Sequence, residues 1–192
     1  RGNGLSVEEW LEYATPESLA LYMYNSPRKA KRLYFDAIPR HVDDYLTHLE
    51  KFGEQEDAQK LENPAWHIHK GEPPAPEGHV SFGLLLNLAS VCNTEDPAVL
   101  WGFITRYAPE ATPETAPILD RLVGYAIAYY RDFVKPSKIY RAPTDMERLA
   151  LADLVAALNA LSADANGETI QTEVYEVGKR HEFENLRDWF KA

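Results

Sequence analysis

The feature that most constrains the fold of this 192-residue chain is a recurring helix-start signal. A Ser, Thr or Asp precedes a proline at four places, as is typical of an N-cap followed by the first helical residue. Two capping boxes, Ser6 to Glu9 and Thr144 to Glu147, add further helix starts. Alternating polar and apolar runs, which would indicate strands, are absent from the sequence. An all-α fold is therefore predicted, with one short extended piece near 66–69. The four pairs are Thr15-Pro16, Ser26-Pro27, Asp96-Pro97 and Thr112-Pro113.

A break in this helical pattern predicts two domains. Glycine and proline dominate residues 71–78, where no helix can persist. We predict a linker at 63–78 that joins a small helical module at 1–62 to a helix bundle at 79–192. Residues 118–134 are apolar around most of the helical circumference, which indicates a central buried helix in this bundle. Two more helices are expected near 169–179 and 182–191, and the last of them stops without a cap, as if the bundle were truncated.

Charge is distributed unevenly along the chain. The formal net charge is −10, yet residues 28–41 hold five cationic side chains against Asp36 alone. Residues 131–141 hold four against Asp132. A protein that presents one basic face to a polyanion fits this pattern, because binding follows the local field rather than the total charge. A mixed solvated surface is the alternative that charge alone leaves open.

Other features of the composition exclude whole classes of protein. The single cysteine, Cys92, rules out an internal disulfide. No apolar stretch reaches the roughly 18–20 residues that a membrane span needs, and no signal-peptide pattern is present. We therefore expect a cytoplasmic protein.

The first residues form a turn that leads directly into a capped helix. A loop before a helix N-terminus binds anions, because free N–H groups and the helix dipole both point outward. The chain is therefore expected to be cut from a longer one, just downstream of a phosphate-handling loop. The turn is Arg1-Gly2-Asn3-Gly4, and the capped helix begins after Ser6.

An ordered series of motifs resembles the class I lysyl-tRNA synthetases. Arg1-Gly2-Asn3 matches the continuation of the Lys-Met-Ser-Lys-Ser signature loop of class I aminoacyl-tRNA synthetases, and residues 4–11 match the lysyl type. The resemblance continues in the same order over nearly the whole chain. The further matching stretches are residues 26–33, Tyr45-Leu46, residues 66–69 and Tyr140-Arg141-Ala142-Pro143.

The resemblance implies a specific division of labour. The first module would be the stem-contact region, and the second would be most of the anticodon-binding domain, an α-helix cage. The whole enzyme would join lysine to its tRNA with ATP and Mg²⁺. Of its ATP loop only Arg1, Gly2 and Asn3 remain, so this fragment is expected to bind the lysine-acceptor tRNA and to catalyse nothing.

Candidate RNA-binding residues follow from charge and aromatic character. Lysine and arginine contact phosphates, whereas aromatic rings stack on the bases of single-stranded loops. Residues 28–32 are expected to start a helix behind Ser26-Pro27. A buried core position is favoured for Trp101. The phosphate or base candidates are Arg28, Lys29, Lys31, Arg32, Arg131, Lys135, Lys138 and Arg141; the stacking candidates are Trp66, His67, His69 and Tyr140.

Three other hypotheses compete with this interpretation. His67 and His69, with Glu72 and His79 nearby, could ligate zinc if the segment were extended, but no cysteine pair or i, i+4 helical spacing supports them, so no metal is predicted. A glutamyl-type class I synthetase fragment would share the fold. A helical protein-interaction module would instead use the acidic surface, and its binding would be indifferent to RNA.

Overall fold

The computed structural model describes residues 4–25, 27–30, 33–78, 80–181, 183 and 185–190. Over these residues the fold is all-α and contains no strand, as predicted. Arg1, Gly2, Asn3, Ser26, Lys31, Arg32 and His79 lie outside the described residues. The helices are α1 (Val7–Leu11), α2 (Pro16–Tyr24), α3 (Ile38–Glu54), α4 (Asp57–Lys60), α5 (Pro64–Ile68), α6 (Phe82–Cys92), α7 (Pro97–Tyr107), α8 (Pro117–Tyr129), α9 (Asp145–Ala160), α10 (Gly167–Arg180) and α11 (Leu186–Trp189).

Most helix starts follow the predicted capping chemistry. Ser6 and Glu9 form a reciprocal capping box at α1, and Thr144 and Glu147 form another at α9. The Thr15 side chain accepts a hydrogen bond from the Ser18 backbone N–H at α2. Asp96 caps α7 in the same way. These side chains take up N–H groups that have no partner within their own helices, and so they set where each helix begins.

The prediction of a helix after Thr112-Pro113 was wrong. Thr112 and Thr115 exchange hydrogen bonds in a single turn, and α8 begins only at Pro117. Because a proline disfavours helical backbone at the residue before it, Ala116 adopts φ −130° and ends the turn. The Glu77 carboxylate then accepts the backbone N–H of Leu119 at the start of α8.

Two further predictions of local structure were wrong. Residues 27–30 form a turn instead of the start of a helix. Like charges three and four residues apart among positions 28–32 oppose a helix there. Residues 66–69 are not extended, because Asn63 accepts the Ala65 N–H and Pro64 opens α5. The cap-plus-proline signal that started other helices was present here as well.

The chain divides into two compact units, residues 1–138 and residues 139–192. The division therefore lies elsewhere than the predicted linker at 63–78, which is part of the first unit. One reason is a tie across that segment, in which Asp43 of α3 accepts the backbone N–H groups of Phe82 and Gly83 at the start of α6. The core of the first unit also draws on both sides of the segment. It includes Trp10, Val42, Leu49, Phe82, Leu85, Leu100 and Leu122.

The predicted central helix at 118–134 is buried along most of α8. Its backbone widens into a π-helical turn at Tyr130–Val134, followed by a 3₁₀ turn at Lys135–Ser137.

The second unit is smaller, and its core forms around Ala150, Val177 and Trp189. None of the described helices is long and apolar enough to cross a bilayer.

Candidate nucleic-acid interface

The turn at residues 27–30 carries two of the predicted cations in exposed positions. Arg28 and Lys29 are both exposed, and neither forms an ion pair with any described residue. The turn follows directly after α2, which anchors it to the first unit. A guanidinium and an ammonium without a carboxylate partner can each contact a phosphate with no competing interaction to break. The neighbouring candidates Lys31 and Arg32 are among the residues that the structure does not describe.

Arg131, in contrast, is engaged by its chain neighbour. Its Nε and one terminal nitrogen donate to the two carboxylate oxygens of Asp132 at 2.7 and 2.9 Å. The Tyr13 hydroxyl donates to the same carboxylate at 3.1 Å. Hydrogen bonding to Arg131 lowers the pKa of Asp132, and the same bond raises the pKa of the guanidinium. Arg131 is thus fixed in a bidentate pair that reduces its attraction for a phosphate.

Lys135 and Lys138 also have partners within the first unit. Lys135 Nζ lies 2.5 Å from a carboxylate oxygen of Glu95. Lys138 Nζ donates to the Ser90 backbone carbonyl at 2.5 Å and lies 5.0 Å from the centre of the Tyr130 ring. These contacts tie the segment after α8 to the end of α6 and its following loop.

Arg141 belongs to the second unit and binds Glu147 through both terminal nitrogens, at 2.7 and 2.5 Å. The same carboxylate accepts the Thr144 backbone N–H in the capping box of α9. Hydrogen bonding to Arg141, with that to Thr144, lowers the pKa of Glu147 to about 2. The neighbouring Tyr140 is 74% exposed, and its ring contacts no other ring among the described residues. Tyr140 is thus accessible to solvent, whereas Arg141 is bound to the carboxylate that caps α9.

Of the predicted stacking residues on α5, Trp66 packs inside the first unit. Its ring stacks on Phe52 with the centroids 6.3 Å apart. Gly71, at φ +98°, passes beneath the same ring, where a Cβ atom would come within 3.2 Å of it. The half-buried Trp66 ring therefore packs against the turn after α5.

His69 has a structural partner as well. Its Nε2 shares a 2.9 Å hydrogen bond with the Tyr45 hydroxyl, and burial raises the pKa of Tyr45.

Trp101 is 8% exposed and donates from Nε1 to Asp120 at 3.0 Å, which confirms the predicted core position.

His67 is the predicted aromatic on α5 that faces solvent. Its Nε2–H donates to the Leu61 carbonyl at 2.9 Å, since a carbonyl can only accept. The ring stacks on Tyr24, with centroids 5.4 Å apart and planes 17° apart. Sequence reasoning missed Tyr24, although its place four residues before Arg28 puts an aromatic ring beside the predicted basic cluster.

A metal site finds no support in the part of the chain that the structure describes, where no three His, Cys, Asp or Glu side chains come close enough to hold an ion. His79, one of the four residues weighed as ligands, lies outside that part. His67 and His69 are instead occupied by Leu61 and Tyr45.

Comparison with known proteins places the chain in a family. The family model described as "tRNA synthetases class I (K)" matches residues 1–72. A protein named lysine–tRNA ligase from Roseobacter denitrificans is 51% identical over 191 residues, which cover 100% of this chain. The corresponding ligases from Rickettsia felis and Rickettsia akari are each 48% identical over 193 residues, again across 100% of the chain. The chain belongs to the class I lysyl-tRNA synthetases.

The similarity covers only part of each relative. The chain spans 36% of the length of the Roseobacter denitrificans ligase and 37% of that from Rickettsia felis. No solved structure gives a significant match.

Proposed function

We propose that this chain is the tRNA-binding part of a class I lysyl-tRNA synthetase. The whole enzyme would act in the cytoplasm and join lysine to its tRNA using ATP and Mg²⁺. The observation that carries the proposal is the match across 100% of the chain to proteins named lysine–tRNA ligase. The same names favour lysine over the glutamyl-type alternative. On its own the chain would bind the RNA without catalysing aminoacylation, because no catalytic residue set was predicted in it.

The turn with Arg28 and Lys29 is the phosphate contact that we favour. The net charge of −10 repels RNA from most of the surface, so binding must depend on cations that are not already neutralised. Arg131, Lys135 and Arg141 each face a carboxylate within 2.7 Å or less. Arg28 and Lys29 have no such partner among the described residues. They would therefore contribute more to binding than the second basic group does.

We also propose a division of the chain by function. Residues 1–62 would contact the stem of the tRNA, and residues 79–192 would read its anticodon loop. Arg1, Gly2 and Asn3 would belong to the ATP signature loop of the whole enzyme. Tyr140, exposed at the start of the second unit, is the favoured base-stacking residue of the anticodon part.

Fluorescence anisotropy tests the proposal directly. The protein is titrated into labelled lysine-acceptor tRNA and into the same tRNA with an altered anticodon, at low and at moderate salt. Tighter binding of the native tRNA supports both RNA binding and anticodon reading. Equal, salt-sensitive binding to the two RNAs keeps the RNA-binding role and removes the anticodon-reading role. No binding at low salt overturns the proposal in favour of a protein-interaction module.

A further inference from the structure

Tyr24 and His67 form a stacked aromatic pair in which both residues are exposed to solvent. Tyr24 is the last residue of α2, and His67 lies in α5. Their planes are 17° apart and their centroids 5.4 Å apart, so the rings are nearly parallel. Tyr24 is 45% exposed, and His67 is also an exposed residue.

Exposure distinguishes this pair from the other stacked pairs among the described residues. Trp10, stacked on Tyr22, is fully buried, and Phe52 with Trp66 is half-buried. Both pairs are thus more buried than Tyr24 and His67. In the Tyr24–His67 pair each ring covers part of one face of the other, and both residues remain exposed.

The orientation of His67 is held from its edge. Its Nε2–H donates to the Leu61 carbonyl, so the hydrogen bond fixes the ring plane without covering the ring face. A ring held in this way loses little conformational freedom when a planar group stacks on the pair. The arrangement is thus preorganised for stacking.

Cations flank the pair in the chain on both sides. Arg28 and Lys29 follow Tyr24 by four and five residues, and Lys70 follows His67 by three. Four and five residues of chain span at most about 14 and 18 Å, so the backbone of all three cations lies within that reach of the pair. None of the three cations forms an ion pair with a described residue. Lys70 is also held at φ +53°, a backbone conformation that few non-glycine residues adopt, and its side chain is exposed.

We propose that the Tyr24–His67 pair is a stacking platform for an unpaired base of the bound tRNA, while Arg28, Lys29 and Lys70 contact the adjacent phosphates. Proteins recognise unstacked RNA bases through this combination of an aromatic face with nearby cations. The inference rests on the proposed tRNA-binding function and adds the site at which one base is held. It assigns a binding role to Tyr24, which no sequence motif indicated.

The test combines affinity with chemical probing of each nucleotide of a lysine-acceptor tRNA. Tyr24→Leu should raise Kd about 5- to 160-fold, the range for losing one base–aromatic stack, and should expose one unpaired base to the reagent. The salt dependence of binding should stay unchanged, because no phosphate contact is removed. Tyr24→Phe keeps the ring and should bind as the unchanged protein does.

Matched variants keep the result interpretable. Tyr107 ends α7 as Tyr24 ends α2, is 66% exposed and stacks on no described ring, so Tyr107→Leu should have no effect on binding. Should Tyr24→Leu not fold, His67→Gln removes the second ring and retains a donor for the Leu61 carbonyl. The platform is overturned if the unchanged protein binds tRNA and the removal of either ring alters neither Kd nor the probing pattern. Absence of binding by the unchanged protein overturns the proposed function itself.

Discussion

Individual cations of similar sequence context differ in what they can bind. Arg131 and Lys135 were predicted from the same charge pattern as Arg28 and Lys29, yet their carboxylate partners leave them less free to bind RNA. The partner of Arg131 is its own chain neighbour, whereas Glu95 lies 40 positions from Lys135 and meets it only through the fold. A sequence count of charges could not have separated the two groups.

The ion pair of Glu147 with Arg141 predicts how the stability of the second unit depends on pH. Its pKa is lowered from 4.5 to about 2 in the folded protein, so the unfolded chain takes up the proton first. The stabilisation from Glu147 is therefore complete above the unfolded pKa and is lost as pH falls from about 5 towards 2. The destabilisation by Glu147→Gln should be largest near pH 7 and should vanish near pH 2.

Urea titrations at several pH values measure this loss of stability in the second unit. The Trp189 indole N–H resonance in NMR spectra reports the unfolding of that unit. Trp189 reports specifically, because its Nε1 donates to the Val174 carbonyl within that unit. Asp145→Asn is the control, since the Asp145 side chain is 98% exposed in its pair with Arg148 and should matter less. A difference between the Glu147→Gln and unchanged proteins that is the same at all pH values would contradict the assigned ion pair.

At the scale of the helix, capping signals predicted the starts of α1, α2, α7 and α9 because they act within four residues. They failed where a neighbour imposed a stronger local constraint. Pro117 stopped the helix expected after Thr112, and the repelling charges at 28–32 opposed the one expected after Ser26. The stacking of Tyr24 on His67 could not be predicted from the sequence, because it forms only when the fold brings α2 and α5 together.

Gly178 tests the packing of α10 against α11. An added Cβ at this position would lie 2.5 Å from Cδ1 of the Trp189 ring, closer than any normal contact. Gly178→Ala should therefore lower the free energy of unfolding of the second unit by about 1–3 kcal/mol, through overpacking. Hydrogen exchange of the α10 amides measures this loss.

Gly167 is the matched control, because a Cβ there meets nothing within 4 Å at the start of the same helix. Gly167→Ala should leave the unit unchanged or stabilise it by up to about 1 kcal/mol. Equal destabilisation by the two variants would show that Trp189 does not pack against Gly178 as described.

At the scale of the molecule, the compact units do not divide at the predicted linker. The Pro- and Gly-rich segment at 63–78 was predicted to separate two domains, because such residues also occur in linkers. Here Glu77 and the tie from Asp43 make the segment part of the first unit. Composition identifies where helices stop, but only the contacts made around the stop decide whether a domain ends there.

Asp43→Ala tests whether residues on both sides of the segment unfold together. The substitution removes the acceptor for two N–H groups at the start of α6 and should destabilise the first unit by about 1–2 kcal/mol. The indole resonances of Trp10 and Trp101, one from each side of the segment, should disappear at one urea midpoint and shift together in the variant. Asp44→Ala is the control, because among the described residues Asp44 makes only a 3.9 Å ion pair with Arg40 and a 3.5 Å one with His41. Separate midpoints for the two tryptophans would restore the predicted linker.

Arg28 and Lys29 are proposed to supply the main phosphate contacts of this chain with tRNA, and the salt dependence of binding tests these contacts most directly. Removing one cation that binds a phosphate should reduce the slope of log K against log salt concentration by about 1. Arg28→Ala with Lys29→Ala should reduce it by about 2, whereas Arg148→Ala with Lys179→Ala, which removes two paired cations, should not. An unchanged slope in the first variant, or an equal reduction in both, would contradict the account.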